Sequence, residues 1–405
     1  MIKKIEFLRV ALFADSYLEV DGAALTCRKL VGFAQERGYP FLCVHAGEKT
    51  EQTESGTVTH LSLKRSPFAI RMDETLAYDP FLSRHLKRIE SKLDEFQPDV
   101  IHLTGLNDVS NLAAWIAHKR KIPLIGSWHT NLHEFASRRL KKIFRFLPHQ
   151  FVANLTNLTE KEILKWAIYY YKMPKVVLAP NADLVEAIAE GSGRTTNLMS
   201  RGVDTDFFSP NKRVVSDDIF RLGFVGRLRA EKNIKLLADL EKRLIEFGQT
   251  NFKFLIVGEG NEREYLEKTM KNAEFTGFLQ GEKLAEAYSN LDVFIFPSET
   301  DAFGNVVQEA MASGVPVIVT NQGGPKFLVK HGQNGYIAEN IDDFVKYSVE
   351  LMQNPEKLAG VKKFAREEVI SKSWDTVFEK VYESYHQTFE IAQVIEFQKQ
   401  LKEVV

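Results

Sequence analysis

Cysteine is almost missing: Cys27 and Cys43 are the only two in 405 residues. One falls in an apparent helix and the other in an apparent strand, which excludes a disulfide framework and fits a reducing compartment; both read as small buried fillers. Long apolar runs are missing too. No stretch approaches the ~18–20 residues that a spanning helix needs, so any membrane contact has to be peripheral. The start Met1-Ile2-Lys3-Lys4 is basic, but the apolar run after it reaches only from Val10 to Ala14 before Asp15 interrupts it, and a secreted protein is not expected. Neither charge sign is in excess: 53 Lys+Arg face 54 Asp+Glu, a net −1 that points away from nucleic acid. No His/Cys/Asp cluster has metal-ligand spacing, and no metal is expected. There is no short-period repeat and no low-complexity tract.

What is present is a rhythm. Apolar, β-rich runs at 9–14, 41–45, 100–103, 124–126 and 176–179 alternate with longer amphipathic stretches, and a second series follows at 220–225, 252–257, 293–296 and 315–319. Continuous apolar runs suit strands buried on both faces of a parallel sheet, and the chain exceeds the ~250–300 residues one core can serve. Two α/β domains in tandem follow. Gly202-Val203-Asp204-Thr205-Asp206-Phe207-Phe208-Ser209-Pro210 interrupts the periodicity just before the second series and marks the boundary. Near the end, Trp374, Val377, Phe378, Val381, Tyr382 and Tyr385 form the stripe of an amphipathic helix, and residues 388–405 predict a second helical piece.

Chemistry concentrates in a few segments. In Phe296-Pro297-Ser298-Glu299-Thr300-Asp301-Ala302-Phe303-Gly304-Asn305-Val306-Val307-Gln308-Glu309, a buried strand runs into an acidic loop, and Gly304 allows close backbone approach before a helix starts near Asn305. The N–H groups and positive dipole end of such a helix favour a phosphate. Glu309, one turn in, can accept hydrogen bonds from vicinal ribose hydroxyls. In Phe224-Val225-Gly226-Arg227-Leu228-Arg229-Ala230-Glu231-Lys232, a strand end and glycine precede two cations expected to open a helix, a natural clamp for a pyrophosphate. Val257-Gly258-Glu259-Gly260 is another strand-ending glycine turn, without the third glycine of a dinucleotide fingerprint. His129 follows the strand at 124–126, at the carboxyl end where parallel sheets bind ligands, with His133 and Glu134 as weaker candidates nearby. The stretch Arg138-Arg139-Leu140-Lys141-Lys142-Ile143-Phe144-Arg145-Phe146-Leu147 interleaves cations with apolar residues; it suits either an anionic lipid surface or a solvated helix with one face on the core.

The segment from Asp301 to Glu309 resembles the acid–seven residues–acid signature of family 4 retaining glycosyltransferases, with Asp301 where the family usually has Glu. The 226–232 segment resembles that family's G-R-x-x-x-x-K, and 202–208 resembles its boundary motif. The resemblance implies a GT-B fold: two Rossmann-like parallel-sheet domains facing a central cleft, with the C-terminal helix returning toward the first. The expected division is 1–205, joined by the tail 386–405, on the acceptor side, and 206–385 on the donor side. It implies that His129 and Asp301 contact the donor sugar, with Glu299 as a possible assistant to Asp301, and that Glu309 holds the ribose. Arg227 and Lys232, after Gly226, would bind the pyrophosphate, and backbone around Phe303, Gly304, Asn305 and Val306 would meet sugar and phosphate. Gly258 and the stretch holding Phe278 would line the nucleotide pocket, and the Asp15 turn with Gly22 would form the acceptor-side loop. The implied activity is metal-independent transfer of a hexose, with retention, from a UDP- or GDP-linked donor to a lipid or glycan acceptor. The nucleotide sugar is a co-substrate, and no cofactor is implied. A cytoplasmic protein is expected, with peripheral contact at the inner face of an anionic membrane. A catalytically silent nucleotide-sugar-binding homologue and transfer to a small soluble acceptor stay open as alternatives.

Overall fold

The computed structural model describes residues 7–19, 22–71, 77–129, 162–301 and 303–404. It divides into two compact units, one holding the chain up to Ser200 together with Val377 onward, the other spanning Arg201–Thr376. The sequence placed these divisions at 205 and 385. The stripe residues Phe378 and Tyr382 explain where the tail joins: their rings lie 5.7 and 5.8 Å from that of Phe33 in the first unit.

The strands of the first unit are β1 (Val10–Ala14), β2 (Phe41–Gly47), β3 (Glu51–Ser55), β4 (Val58–Lys64), a small ribbon of β5 (Ile70–Arg71) and β6 (Ala77–Tyr78), then β7 (Val100–Leu103), β8 (Leu124–Ser127), β9 (Val176–Ala179) and β10 (Thr195–Leu198). Apart from the ribbon they form one sheet in the order β10-β9-β8-β7-β1-β2-β4-β3. Every pairing in it is parallel except β3 with β4. All residues of β1, β7, β8 and β9 are buried, as expected of strands covered on both faces. The sequence reading lacked β3 because Glu51–Ser55 is polar and fully exposed, an edge strand held by its ladder alone.

The second unit holds β11 (Phe220–Val225), β12 (Phe252–Val257), β13 (Ala273–Gly277), β14 (Val293–Phe296), β15 (Val317–Thr320) and β16 (Gly335–Ala338) in the order β13-β12-β11-β14-β15-β16, all parallel. β15 starts later than the expected 315, because Pro316 has no N–H for the ladder; its carbonyl instead accepts the Phe294 N–H at 2.9 Å. At the boundary, a Cβ on Gly202 would lie 2.5 Å from the Trp374 backbone, and Val203 donates to the Lys372 carbonyl at 3.0 Å, so the two crossing segments touch backbone to backbone. The expected pair of C-terminal helices is one helix of 31 residues, Trp374–Val404; nothing in it, neither Gly nor Pro, would break it. Cys27 and Cys43 are both buried.

Candidate functional site

In the second sheet, β11 lies between β12 and β14, so the chain runs outward from β11 in one direction and later restarts on its other side. The loops leaving β11 and β14 therefore diverge above neighbouring strand ends, and such switch points are where open parallel sheets bind ligands. Both chemistry-bearing loops of this unit emerge here: 226–232 from β11 and 297–304 from β14.

Two glycines shape the first loop. Gly226 (φ +154°) donates to the Val257 carbonyl at 3.0 Å, and a Cβ on Gly258 (φ +139°) would sit 1.9 Å from the Gly226 oxygen. The glycine turn at 258–260 is thus required by backbone packing against the Arg227 loop, whatever ligand binds there. The loop does not open a helix directly, as the sequence reading had it. Ala230–Lys232 is a single 3-10 turn, Asn233 takes a left-handed conformation at φ 53°, and the α-helix begins only at Lys235. That turn swings Lys232 toward the second loop. Its Nζ lies 2.6 and 2.7 Å from the two carboxylate oxygens of Asp301, with both side chains largely buried. Burial alone would raise the Asp301 carboxyl, but the Lys232 ammonium, helped by the charge of Arg227, holds it below its ordinary range. Arg227 is exposed, as is Glu299, and it is Asp301 that the fold pairs with the loop's cation.

The Asp301 loop is braced from below. Gly324 donates to the Asp301 carbonyl at 2.7 Å, and a Cβ on Gly323 (φ +72°) would come within 2.9 Å of the Glu299 oxygen. Gly304 (φ +93°) then caps the helix Asn305–Ala312, and a Cβ there would meet Pro325 at 2.9 Å. The helix begins where the sequence placed it. Phe303 turns into the core, so its side chain packs and only its backbone is left for a ligand. Asn305 and Val306, at the first helical positions, are half-buried. Glu309 is half-buried; its Oε2 accepts the Tyr288 hydroxyl at 2.7 Å, and burial pushes its carboxyl above the ordinary range. Phe278 follows β13 and is 59% exposed, an aromatic face open at the strand end. The sequence reading missed Tyr288, which carries no local signal in its helix Gly281–Ser289 and gains a role only through contact. It also missed Gly323-Gly324-Pro325, whose turn chemistry was legible after β15.

In the first sheet the corresponding switch point lies between β1 and β7. Asp15, just past β1, is buried there and gives both carboxylate oxygens to backbone: Oδ2 accepts Asn107 N–H at 2.9 Å and Oδ1 accepts Ser110 N–H at 2.8 Å. It thereby satisfies amides at the start of the helix Asp108–Arg120, which a carboxylate does well. Burial nonetheless pushes its carboxyl up to about 6. Gly22 begins the helix Gly22–Glu36, and its carbonyl accepts the Thr26 hydroxyl at 2.8 Å. His129 stands two residues past the end of β8 with Nε2 2.7 Å from Ser127 Oγ. His133, Glu134 and the basic stretch 138–147 lie outside the described residues. Among the described residues no group of three or more His, Cys, Asp or Glu could hold a metal ion, and no helix is long and apolar enough to cross a membrane.

Two family profiles match consecutive parts of the chain: "Glycosyltransferase Family 4" over residues 20–207 and "Glycosyl transferases group 1" over residues 207–368. The chain is 28% identical over 400 residues to a GDP-mannose-dependent alpha-mannosyltransferase of Corynebacterium glutamicum, covering 96% of this chain and 91% of the relative. It is 25% identical over 322 residues to the alpha-monoglucosyldiacylglycerol synthase of Acholeplasma laidlawii, covering 72% and 78% of the two chains. Among solved structures, the sucrose-phosphate synthase of Thermosynechococcus elongatus superposes with a TM-score of 0.70 at 19% identity over 94% of this chain and 99% of that one, a likeness of fold.

Proposed function

Because the chain belongs to the family 4, group 1 glycosyltransferases, with a GT-B fold and glycosyltransferase activity, we propose that it transfers a hexose, with retention of anomeric configuration, from a nucleotide-diphosphate sugar to a lipid or glycan hydroxyl. The observation that carries this reading is the meeting of Lys232 with Asp301, beside Arg227, at the β11–β14 switch point. Cations, a carboxylate and a helix N-terminus collect there on one strand edge, as a donor made of pyrophosphate and sugar requires. Arg227 and Lys232 neutralise the charge that builds on the departing nucleoside diphosphate, and amides at the start of the Asn305 helix add their dipole. Asp301 accepts hydrogen bonds from sugar hydroxyls while remaining ionised. Glu309, with one oxygen engaged by Tyr288, offers the other to the ribose. Phe278 presents a face to the base, and His129 contacts the transferred sugar.

The relatives divide by donor and acceptor, and the mannosyl relative makes GDP-mannose the first donor to try, with UDP-linked hexoses as the comparison. Phe68, Ile70 and Phe81 are 72%, 61% and 54% exposed, with the Phe68 and Phe81 rings 5.8 Å apart. Such a patch on one unit suits the peripheral membrane contact that a lipid acceptor calls for. A donor panel with detergent-dispersed diacylglycerol lipids and soluble glycans tests the whole reading. Transfer from GDP- or UDP-hexose, with an α-linked product seen by NMR from an α-linked donor, is expected; inversion, or binding of donor with neither transfer nor hydrolysis, would overturn it.

A further inference from the structure

A line of hydrogen bonds leads through the interior of the first unit to His129. It starts on the C-terminal helix, where the Tyr385 hydroxyl lies 2.8 Å from Nδ1 of His102 on β7. It continues from His102 Nε2 to Ser127 Oγ on the neighbouring β8, at 3.0 Å, and from Ser127 Oγ to His129 Nε2, at 2.7 Å. Tyr385, His102 and Ser127 are 0%, 1% and 1% exposed, so water does not reach these groups from bulk. The backbone at the far end is held as well: the Ser127 carbonyl accepts the Tyr171 hydroxyl at 3.0 Å, and Trp128 N–H donates to Leu178 at 2.8 Å.

Hydrogen counting gives this line a direction. The Tyr385 hydroxyl has His102 Nδ1 as its hydrogen-bond partner among the described residues. If Nδ1 carried a hydrogen, the hydroxyl hydrogen of Tyr385 would be buried without an acceptor, and leaving a buried donor unpaired is costly. Tyr385 therefore donates to Nδ1. Burial holds His102 neutral, its pKa down to about 3, so its single ring hydrogen sits on Nε2 and donates to Ser127 Oγ. The one hydrogen left on Ser127 then donates to His129 Nε2. All three relay groups are satisfied in this arrangement alone.

We infer that Tyr385, His102 and Ser127 are positioning residues that hold His129 as the neutral tautomer with its hydrogen on Nδ1 and with Nε2 as an acceptor. A proton arriving at His129 Nε2 would either take away the acceptor of the Ser127 hydroxyl hydrogen or reverse each hydrogen bond in the line and strand the Tyr385 hydrogen. The relay thus fixes both the orientation and the donor–acceptor sense of the ring. Its bearing on catalysis rests on the reading of His129 as a sugar contact. A histidine presenting a fixed N–H donor meets a sugar oxygen without adding positive charge. The inference also gives the tail from Val377 onward a function at the reaction centre, through Tyr385, that packing alone does not require.

The test is a long-range proton–nitrogen correlation on the full-length protein labelled at histidine, with the His129 signals assigned by their loss in His129→Asn. The wild type is expected to show His129 with a protonated Nδ1 and an unprotonated Nε2; the reverse pattern would overturn the relay. Tyr385→Phe keeps the ring and removes the hydroxyl. It is expected to bring in the second tautomer of His129 and to lower kcat about tenfold, the scale of one hydrogen bond, with donor KM within about twofold. Tyr382→Phe, one turn earlier on the same helix, is the control for packing: the Tyr382 hydroxyl is buried with no hydrogen-bond partner among the described residues, and its removal should leave tautomer and kcat alone. An unchanged His129 tautomer in Tyr385→Phe refutes the inference even if kcat falls. Full kcat in His129→Ala would instead remove His129 from the reaction, and the nitrogen shifts would still decide for or against the relay.

Discussion

At the scale of single residues, the site is a set of charges whose partners have been chosen by the fold. Lys232 and Asp301 are 69 positions apart in the chain and share two short contacts, so removing either leaves the other largely buried and unpaired. Lys232→Met is expected to cost about 1–3 kcal/mol in chemical denaturation at neutral pH. Adding Asp301→Asn should recover more than half of that loss, and strictly additive effects would show that the pair is not formed. The sign of the pH effect follows from Asp301 being held low. Its contribution is present above the ordinary carboxylate range and is lost as pH falls through the depressed value, so Lys232→Met should blunt the acid sensitivity of the protein. Glu309 runs the other way. Its carboxyl is raised by burial from an ordinary 4.5, so the folded state holds the proton more tightly and loses stability as pH rises through that window. Glu309→Gln keeps an oxygen for Tyr288 and carries no charge. It should melt higher than wild type near pH 8, lose that advantage below about pH 4.5, and bind nucleoside diphosphate about tenfold more weakly in calorimetry.

At the scale of elements, the glycine turns at the ends of β11 and β12 work as one piece of backbone. Gly258→Ala would drive a Cβ into the Gly226 carbonyl at 1.9 Å in a backbone conformation that side chains rarely adopt. A loss of about 2–4 kcal/mol is expected, accompanied by weaker nucleotide binding because the Arg227 loop must move. Gly32, inside the helix Gly22–Glu36, has nothing within 4 Å of the place a Cβ would take. Gly32→Ala should therefore stabilise the protein by about 0.5–1 kcal/mol. Equal effects of the two substitutions in thermal melts would refute the assignment of the 258–260 turn to backbone packing.

At the scale of the whole molecule, the C-terminal helix starts in the second unit at Trp374 and serves the first from Val377 on. Truncation after Thr376 would uncover Phe33 and the sheet beneath Tyr385, and is expected to give aggregation and a less stable first unit; a truncated chain that melts like the full one would contradict this. Vesicles offer a second measurement at this scale. Replacing Phe68, Ile70 and Phe81 with Ser should reduce sedimentation with anionic liposomes while leaving turnover of a soluble acceptor analogue unchanged. The sequence by itself determined a good part of this protein. Buried parallel strands were legible because they are continuous apolar runs bounded by breakers, and the start of the helix at Asn305 because Gly304 stands before it. The two loops that carry Arg227, Lys232 and Asp301 were legible as loops because each is local to one strand end. Polar β3, the mixed β4 with its Thr, His and Ser, the two-residue β5 and β6, the strands β10, β13 and β16, and the unbroken C-terminal helix were not legible, since their extent depends on ladders and packing rather than on apolar pattern. Only the tertiary structure decided that Lys232 faces Asp301, that Tyr288 holds Glu309, that Asp15 caps a helix, and that Tyr385 reaches His129 through His102 and Ser127. Those pairings join residues tens to hundreds of positions apart, and what brings them together is strand order, which no local run of side chains encodes.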